Sequence, residues 1–235
     1  MRIEIWSDVV CPWCYIGKRR WEGALAEFEH ADQVEVVWRS FQLDPGASTE
    51  PGPVAAEHLG RKYGGGSDAG RDMVDRMEAV AAEEGMVWRH HESRPVNTVD
   101  AHRLLHLALA ESGTTVQATL KEELLAAYFV RAENIADHEV LRTAAEKAGL
   151  PADRVADVLA SGEYRQDVFA DQDQAHEYGA GGVPFAVVDG RYGVSGAQPA
   201  ATLLEVLHKA WEAAHPVVEM TGAAGADVCG PDGCS

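Results

Sequence analysis

The sequence predicts an α/β protein in which a large all-helical segment interrupts a strand-bearing frame. Three observations carry this reading. β-Branched and aromatic residues occur at 2–7 and 34–41 around a helical pattern, helical periodicities alone fill about 54–162, and Asp189-Gly190 separates two short apolar runs. The predicted order is β-α-β, a block of helices, then α-β-β-α.

Residues 2–7 (RIEIWS) alternate polar and apolar and suit a strand. Pro12 is well placed near a helix start, and Ile16, Trp21, Ala24, Leu25 and Phe28 recur at three- and four-residue steps behind it. Residues 34–41 (VEVVWRSF) read as a second strand, and the proline- and glycine-rich stretch at 43–53 (LDPGASTEPGP) ends the unit. Helical faces follow at Val74, Met77 and Val80, at Leu104, Leu105 and Leu109, and at Val116, Leu120, Leu124 and Tyr128. Two shorter helices flank Gly149-Leu150-Pro151. A helix over 164–178 leads to FAVV at 185–188 and RYGV at 191–194, joined by Asp-Gly, which supplies the positive φ angles of a type I′ turn. Pro199 opens a last helix carrying Leu203, Leu204 and Leu207. Residues 216–235 lack periodicity and read as a mobile tail.

Composition is that of a globular protein, 46% hydrophobic and 25% charged, long enough at 235 residues for a sizeable core. The 38 acidic residues against 20 basic ones leave a net charge of -18 and no basic run, which argues against nucleic acid or an anionic membrane surface as partner. Residues 1–6 show no apolar leader and no 18-residue apolar span occurs, so a soluble cytoplasmic protein is expected. The four cysteines form two local pairs, Cys11 with Cys14 and Cys229 with Cys234. In a reducing compartment such pairs point to redox chemistry or zinc rather than to structural staples.

Cys11-Pro12-Trp13-Cys14 sits where a strand feeds a helix. Residues three apart on a helical turn have Cβ atoms about 5 to 6 Å apart, near enough to close a disulfide with modest adjustment. Cys11 would face unpaired backbone N–H groups and the positive end of the helix dipole, which favour thiolate over thiol. Cys14 lies one turn deeper. Cys11 is therefore the expected exposed nucleophile and Cys14 the resolving thiol. Trp13, with Val9, Val10 and Tyr15, would give the site an apolar rim able to hold an extended peptide or a flat molecule.

Strand, CPWC, helix, and a distant Gly182-Val183-Pro184 before a hairpin resemble the thioredoxin fold, and the long helical insertion resembles its DsbA-type branch. The stretches SDVVCPWCYIGKR, NTVDAHRL (97–104), GVPFAV (182–187) and VSGAQP (194–199) are similar to FrnE-like proteins of the DsbA family. The resemblance implies a thioredoxin-like fold with a large all-helical insertion. Its frame would comprise residues 1–45 and 163–215, the insertion 46–162, and the tail 216–235.

The resemblance also implies that Cys11 and Cys14 are the redox pair and that Pro184 is the family's cis-proline, lying against the active-site disulfide. Val183 would then offer its backbone groups to an extended substrate strand. Such enzymes often carry a buried acid six positions before the nucleophile. Here that position is Ile5, and Glu4 should point to the opposite face. Asp8 or a bound water takes the role, or proton transfer at Cys14 is slow.

In CGPDGC (229–234) a turn would bring Cys229 and Cys234 together. A ring that small adds little stability, and a flexible linker from Pro216 would reach roughly 20 Å, which makes the pair an electron shuttle to Cys11, a metal ligand set, or an idle tail. His102 and His106 have the i, i+4 spacing of metal ligands but no evident third ligand, and read as hydrogen-bonded core residues. His90 and His91 read as surface residues. GAGG (179–182) has a helix before and a strand after, the reverse of a phosphate loop, and presents Val183-Pro184. No nucleophile-elbow pattern occurs.

The leading expectation is a thiol-disulfide oxidoreductase or isomerase with no cofactor beyond its own disulfide, acting on thiol- or disulfide-containing proteins or small molecules. Glutathione or another low-molecular-weight thiol would serve as co-substrate or reductant. A glutathione-dependent isomerase or transferase of the kappa-class type is the alternative from another enzyme class, and a zinc-binding module using all four cysteines is the third.

Overall fold

The computed structural model describes residues 1–216 in full and, beyond them, the backbone of Cys229–Gly230 and Gly233–Cys234. Strand β1 (Arg2–Ser7) runs parallel to β2 (Glu35–Ser40), with Ile3 opposite Val36 and Ile5 opposite Trp38. On its other edge β1 pairs antiparallel with β3 (Phe185–Val188), which pairs antiparallel with β4 (Tyr192–Ser195). The sheet order is therefore β2-β1-β3-β4. β4 begins at 192 because Asp189 and Gly190 hold φ angles of 49° and 65° and Arg191 N–H bonds back to Val188 O. The turn consumes one residue more than the sequence pattern suggested.

Alternation along β1 sorts its side chains to two faces. Ile3 and Ile5 join Trp38, Ala186 and Val188 beneath helices α1 (Pro12–Glu27) and α8 (Ala200–Ala214), which contribute Trp21, Ala24, Leu203 and Leu207. Trp6, Phe185 and Val187 face the other way and pack with Ala175 of α7 (Arg165–Glu177). Asp171 of α7 ties that layer down: its carboxylate accepts from Ser40 N–H at 2.8 Å, and its carbonyl accepts from Trp6 Nε1 at 2.7 Å.

Between β2 and α7 the chain is helical: α2 (Ala55–Tyr63), α3 (Gly66–Glu83), α4 (Val99–Phe129), α5 (His138–Lys147) and α6 (Ala152–Ala160). α4 is broken at Gly113, whose φ of 81° lies outside the helical region. α2 and α3 approach closely enough that a Cβ on Gly70 would lie 1.8 Å from the carbonyl oxygen of Ala56. This block has its own core of Val74, Leu104, Leu120, Leu124 and Leu141, and Val9, Tyr15 and Ile16 from the frame pack into it. α1 thus touches the sheet on one side and the insertion on the other, and its N-terminus lies at the seam between them. The short strands β5 (Cys229–Gly230) and β6 (Gly233–Cys234) pair antiparallel with Cys229 opposite Cys234, and the side chains of both cysteines lie outside the described residues. No helix among the described residues is long and apolar enough to cross a membrane.

Candidate active site

The loop leaving β1 turns directly into α1, with Cys11 as the N-cap residue in an extended conformation (φ -91°, ψ 115°) and Pro12 as the first helical residue. That proline needs no N–H partner there, and its fixed φ suits a helix start. The Cys11 amide bonds to Asp8 O at 3.3 Å, and the Cys14 amide returns to Cys11 O at 3.1 Å, so the two cysteines occupy one closed turn. Both are free thiols, near each other and unbonded. The Cys11 thiol donates to the carbonyl of Val183 at 3.6 Å. The Val183–Pro184 peptide is cis. Pro184 rests on α1, so close that a Cβ on Gly17 would come within 3.1 Å of its Cγ. Two segments far apart in sequence, Cys11–Cys14 and Val183–Pro184, are thereby brought together.

Cys11 is 3% exposed and Cys14 1%. The expected exposed nucleophile is instead recessed, with the Val183 carbonyl set against its sulfur. It remains at the wall of a cavity of about 820 Å³ between frame and insertion, which Cys14 does not line. Trp13 stands 43% exposed on the rim. Val10, Leu43, Leu59 and Met77 supply apolar wall, and Lys62 and Arg76 add cationic groups. Val9 and Tyr15 do not form the expected rim: both are core residues, Tyr15 stacking on Trp88 at 5.6 Å.

Beneath the cysteines lies a charged cluster. Ile5 packs into the sheet core, and Glu4, on the opposite face, is held by Arg39. Asp8 is buried, accepting from Leu43 N–H at 2.8 Å and from His102 Nε2 at 3.2 Å. Burial alone would push the Asp8 carboxyl up, but His102, the Leu43 amide and the nearby Lys121 charge outweigh it and hold the carboxyl below its ordinary range. Burial outweighs Asp8 in the case of His102 and holds the imidazole below its usual value, so the pair is aspartate and neutral histidine. Burial also raises the Cys14 thiol well above the ordinary thiol value, and the Cys11 sulfur adds to the effect.

Lys121 completes the cluster with no exposure at all, and burial is the main reason its ammonium is pulled down to about 8. Lys121 is not among the site residues expected from the sequence. Its signal was present: Lys121 sits in register with Gln117, Leu124 and Tyr128, on a stripe otherwise buried.

Of the four histidines weighed from the sequence, His90 alone departs from its expectation. His102 is the buried partner of Asp8, and His106 bonds Ser40 Oγ at 3.1 Å and Asp171 at 3.0 Å. His91 is a surface group paired with Asp75 at 2.7 Å, whereas His90 is buried against Phe129 at 5.0 Å and lines the cavity. The covered ring of His90 reflects the chain's inward turn after Trp88, which its periodicity could not reveal. Among the described residues no three His, Cys, Asp or Glu side chains are grouped to hold a metal.

Residues 2–208 match the DSBA-like thioredoxin domain. The chain belongs to that family. It is similar to a probable DsbA oxidoreductase from Streptomyces coelicolor, at 42% identity and a TM-score of 0.85, covering 100% of this chain and 98% of that one. It shares its fold with the cytosolic disulfide reductase DsbM of Pseudomonas aeruginosa (19% identity, TM-score 0.61, 89% and 100% covered). A curated relative, the uncharacterised protein YwbO of Bacillus subtilis, is 39% identical over 54 residues, which span a quarter of that protein and 23% of this chain. The DSBA-like fold accounts for the helical block between β2 and α7 as the insertion characteristic of this branch, set over the N-terminus of α1.

Proposed function

We propose that this DSBA-like protein is a thiol-disulfide oxidoreductase that exchanges disulfides through Cys11 and Cys14. The observation that carries the reading is the pairing of two free thiols in the first turn of α1, with Cys11 at a cavity wall and its sulfur 3.6 Å from Val183 O. Cys11 is the attacking and attacked sulfur, and Cys14 is the resolving one because it lies deeper. In the oxidising direction a substrate thiolate attacks Cys11 of the Cys11–Cys14 disulfide, the bond between the two enzyme sulfurs breaks, and Cys14 leaves as thiolate. A second thiolate then attacks the substrate sulfur of the mixed disulfide, releasing Cys11. Reduction of a substrate disulfide runs these steps backwards.

Val183 and Pro184 form the substrate-binding edge, where Val183 offers backbone groups and Trp13 an apolar surface. The reaction needs only the protein's own disulfide, with glutathione or another low-molecular-weight thiol as reductant. Cys229 and Cys234, opposite one another in the β5-β6 register, serve as an auxiliary pair exchanging with the first. The frame is assigned to residues 1–45 and 163–215 and the insertion to 46–162. The protein is assigned to the cytoplasm, in keeping with cysteines that occur only as two local pairs.

Trapping tests this reading. Cys14→Ala removes the resolving sulfur, so a mixed disulfide should accumulate on Cys11 under mild oxidant and be visible by mass spectrometry. No adduct, or full turnover of an aromatic substrate with glutathione by the same variant, overturns the proposal in favour of an isomerase.

A further inference from the structure

The cavity that Cys11 lines carries charges the exchange chemistry does not use. Lys62 of α2 and Arg76 of α3 stand on its wall, and neither is ion-paired among the described residues. Their neighbours on the same helices are paired, Arg61 with Glu57 and Arg71 with Asp68. α2 and α3 meet at the close approach of Gly70 to Ala56, so one packed wall presents both cations. Two histidines share the cavity without adding charge at neutral pH: burial, with the Lys62 charge beside it, holds His58 below its usual value, and burial holds His90 down to about 4. The acids on the wall are Asp8, Asp44 and Glu50. Asp8 and Asp44 already accept backbone N–H groups, from Leu43 at 2.8 Å and from Gly46 at 3.1 Å, and Glu50 stands on the exposed loop before α2. α2 and α3 therefore give the cavity a cationic side, in a chain whose net charge is -18.

The frame supplies the other half. Gly181, Gly182 and Val183 line the cavity, and none of their amides donates a hydrogen bond among the described residues. An extended chain laid along them satisfies such groups. Trp13, Leu43 and Tyr63, three of the large apolar side chains left exposed, belong to the same wall. At about 820 Å³ the cavity is roughly 12 Å across, the reach of about three to four extended residues. Resting on the oxidoreductase reading above, we propose that the substrate is an acidic peptide segment. Its cysteine meets Cys11, its backbone pairs along 181–183, and a glutamate or aspartate two residues from that cysteine brings its carboxylate to Lys62 and Arg76. Residues two apart on an extended chain point to the same side, which lets one segment serve both contacts. At physiological salt charges beyond about 8 Å are screened, so the cations on the wall outweigh the acidic surface outside it.

The test uses the reduced full chain carrying Cys229→Ser and Cys234→Ser and three disulfides at physiological salt. Two are the symmetric disulfides of acetyl-Glu-Gly-Cys-Gly-Glu-amide and of acetyl-Gln-Gly-Cys-Gly-Gln-amide. The third is 5,5′-dithiobis(2-nitrobenzoate), whose carboxylate sits on the ring that bears the sulfur. Oxidation of Cys11 and Cys14 by any of them releases two equivalents of thiol, and each rate is divided by that of 2-mercaptoethanol with the same disulfide. The parent chain should favour the Glu peptide over the Gln peptide at least fivefold. Lys62→Met combined with Arg76→Met should slow the Glu peptide at least tenfold and leave the other two disulfides within twofold. Both side chains are exposed, so their replacement removes no packing. Arg71→Met, which takes a charge from α3 outside the cavity, should leave all three rates within twofold. A Glu-peptide rate no higher than the Gln-peptide rate in the parent overturns the proposal, as does a preference that survives in the double variant. A matching fall with the nitrobenzoate, or in Arg71→Met, also overturns it, because a small anion or the general field would then account for the effect. A parent chain that reacts with none of the three would instead sink the oxidoreductase reading itself.

Discussion

Asp8 accepts a hydrogen bond from Nε2 of His102 at 3.2 Å, joining the end of β1 to the first turn of the long insertion helix directly beneath the cysteine turn. Neither side chain reaches solvent. Removing Asp8 leaves the neutral His102 ring buried with its N–H unpartnered, at a cost of about 2 kcal/mol. Asp8→Ala should therefore lower the unfolding free energy obtained from a urea titration by that amount. Asp8→Ala combined with His102→Leu should cost less than the sum of the single changes, as a double-mutant cycle would show. The folded Asp8 carboxyl lies below its ordinary range, so its contribution is complete above the unfolded carboxylate value of about 3.9 and is lost as pH falls through the folded one.

His90 gives the fold a second, separate sensitivity to acid. Burial holds its ring down to about 4, against an unfolded value near 6.5. Between those values the unfolded chain binds a proton that the folded chain does not. Stability is then complete above about pH 6.5 and falls by about 2 kcal/mol on going to pH 5. His90→Phe should flatten that part of the profile, leaving a residual slope from His102, which shifts in the same direction. Urea titrations from pH 7.5 to 5 measure the difference, and an unaltered slope in the variant would contradict it.

The contact between Gly17 and Pro184 links a helix interior to the substrate edge. A β-branched side chain at 17 has to displace Pro184, whose Cγ stands 3.1 Å from the position of a Cβ. Gly17→Val should cost about 2 kcal/mol. It should also slow disulfide exchange at least tenfold through displacement of Val183, with the circular dichroism spectrum unchanged. Parent-like exchange kinetics in this variant would show that the Pro184 contact is not needed.

Gly70 supplies the opposite kind of control. A methyl group there meets the Ala56 carbonyl of α2 at 1.8 Å, and no rotamer relieves a backbone clash. Gly70→Ala should separate α2 from α3 and cost about 3 kcal/mol. Leu59 and Met77 of these helices line the cavity that Cys11 also lines, and neither belongs to the cysteine turn itself. Reaction of the folded variant with 5,5′-dithiobis(2-nitrobenzoate) should accordingly stay within twofold of the parent rate, while larger substrates lose affinity.

Local chemistry made much of the protein legible without coordinates. The strand-to-helix junction at Pro12, the Asp189-Gly190 turn and the leucine faces of the insertion follow from backbone preference and periodicity, which act over a few residues. The cluster below the cysteines was harder to see. His102 and Lys121 occupy apolar stripes of one helix, and nothing near them in sequence indicates what they face. Asp8 was visible only as an alternative for a missing acid. The depth of Cys11 and the burial of His90 were misjudged for the same reason, since side-chain exposure depends on what packs over it.

The chain's own order of residues determined the paired thiols, the secondary structure on which they sit and the family to which the protein belongs. Only the tertiary fold decided that the Val183 carbonyl would meet Cys11, that a cavity would open on one sulfur but not the other, and that a lysine from the insertion would lie fully buried. The reason is physical. Thiol spacing and helix starts are fixed by bonded geometry and short-range hydrogen bonds, whereas depth, desolvation and the charge felt by a buried group are set by segments more than a hundred residues away.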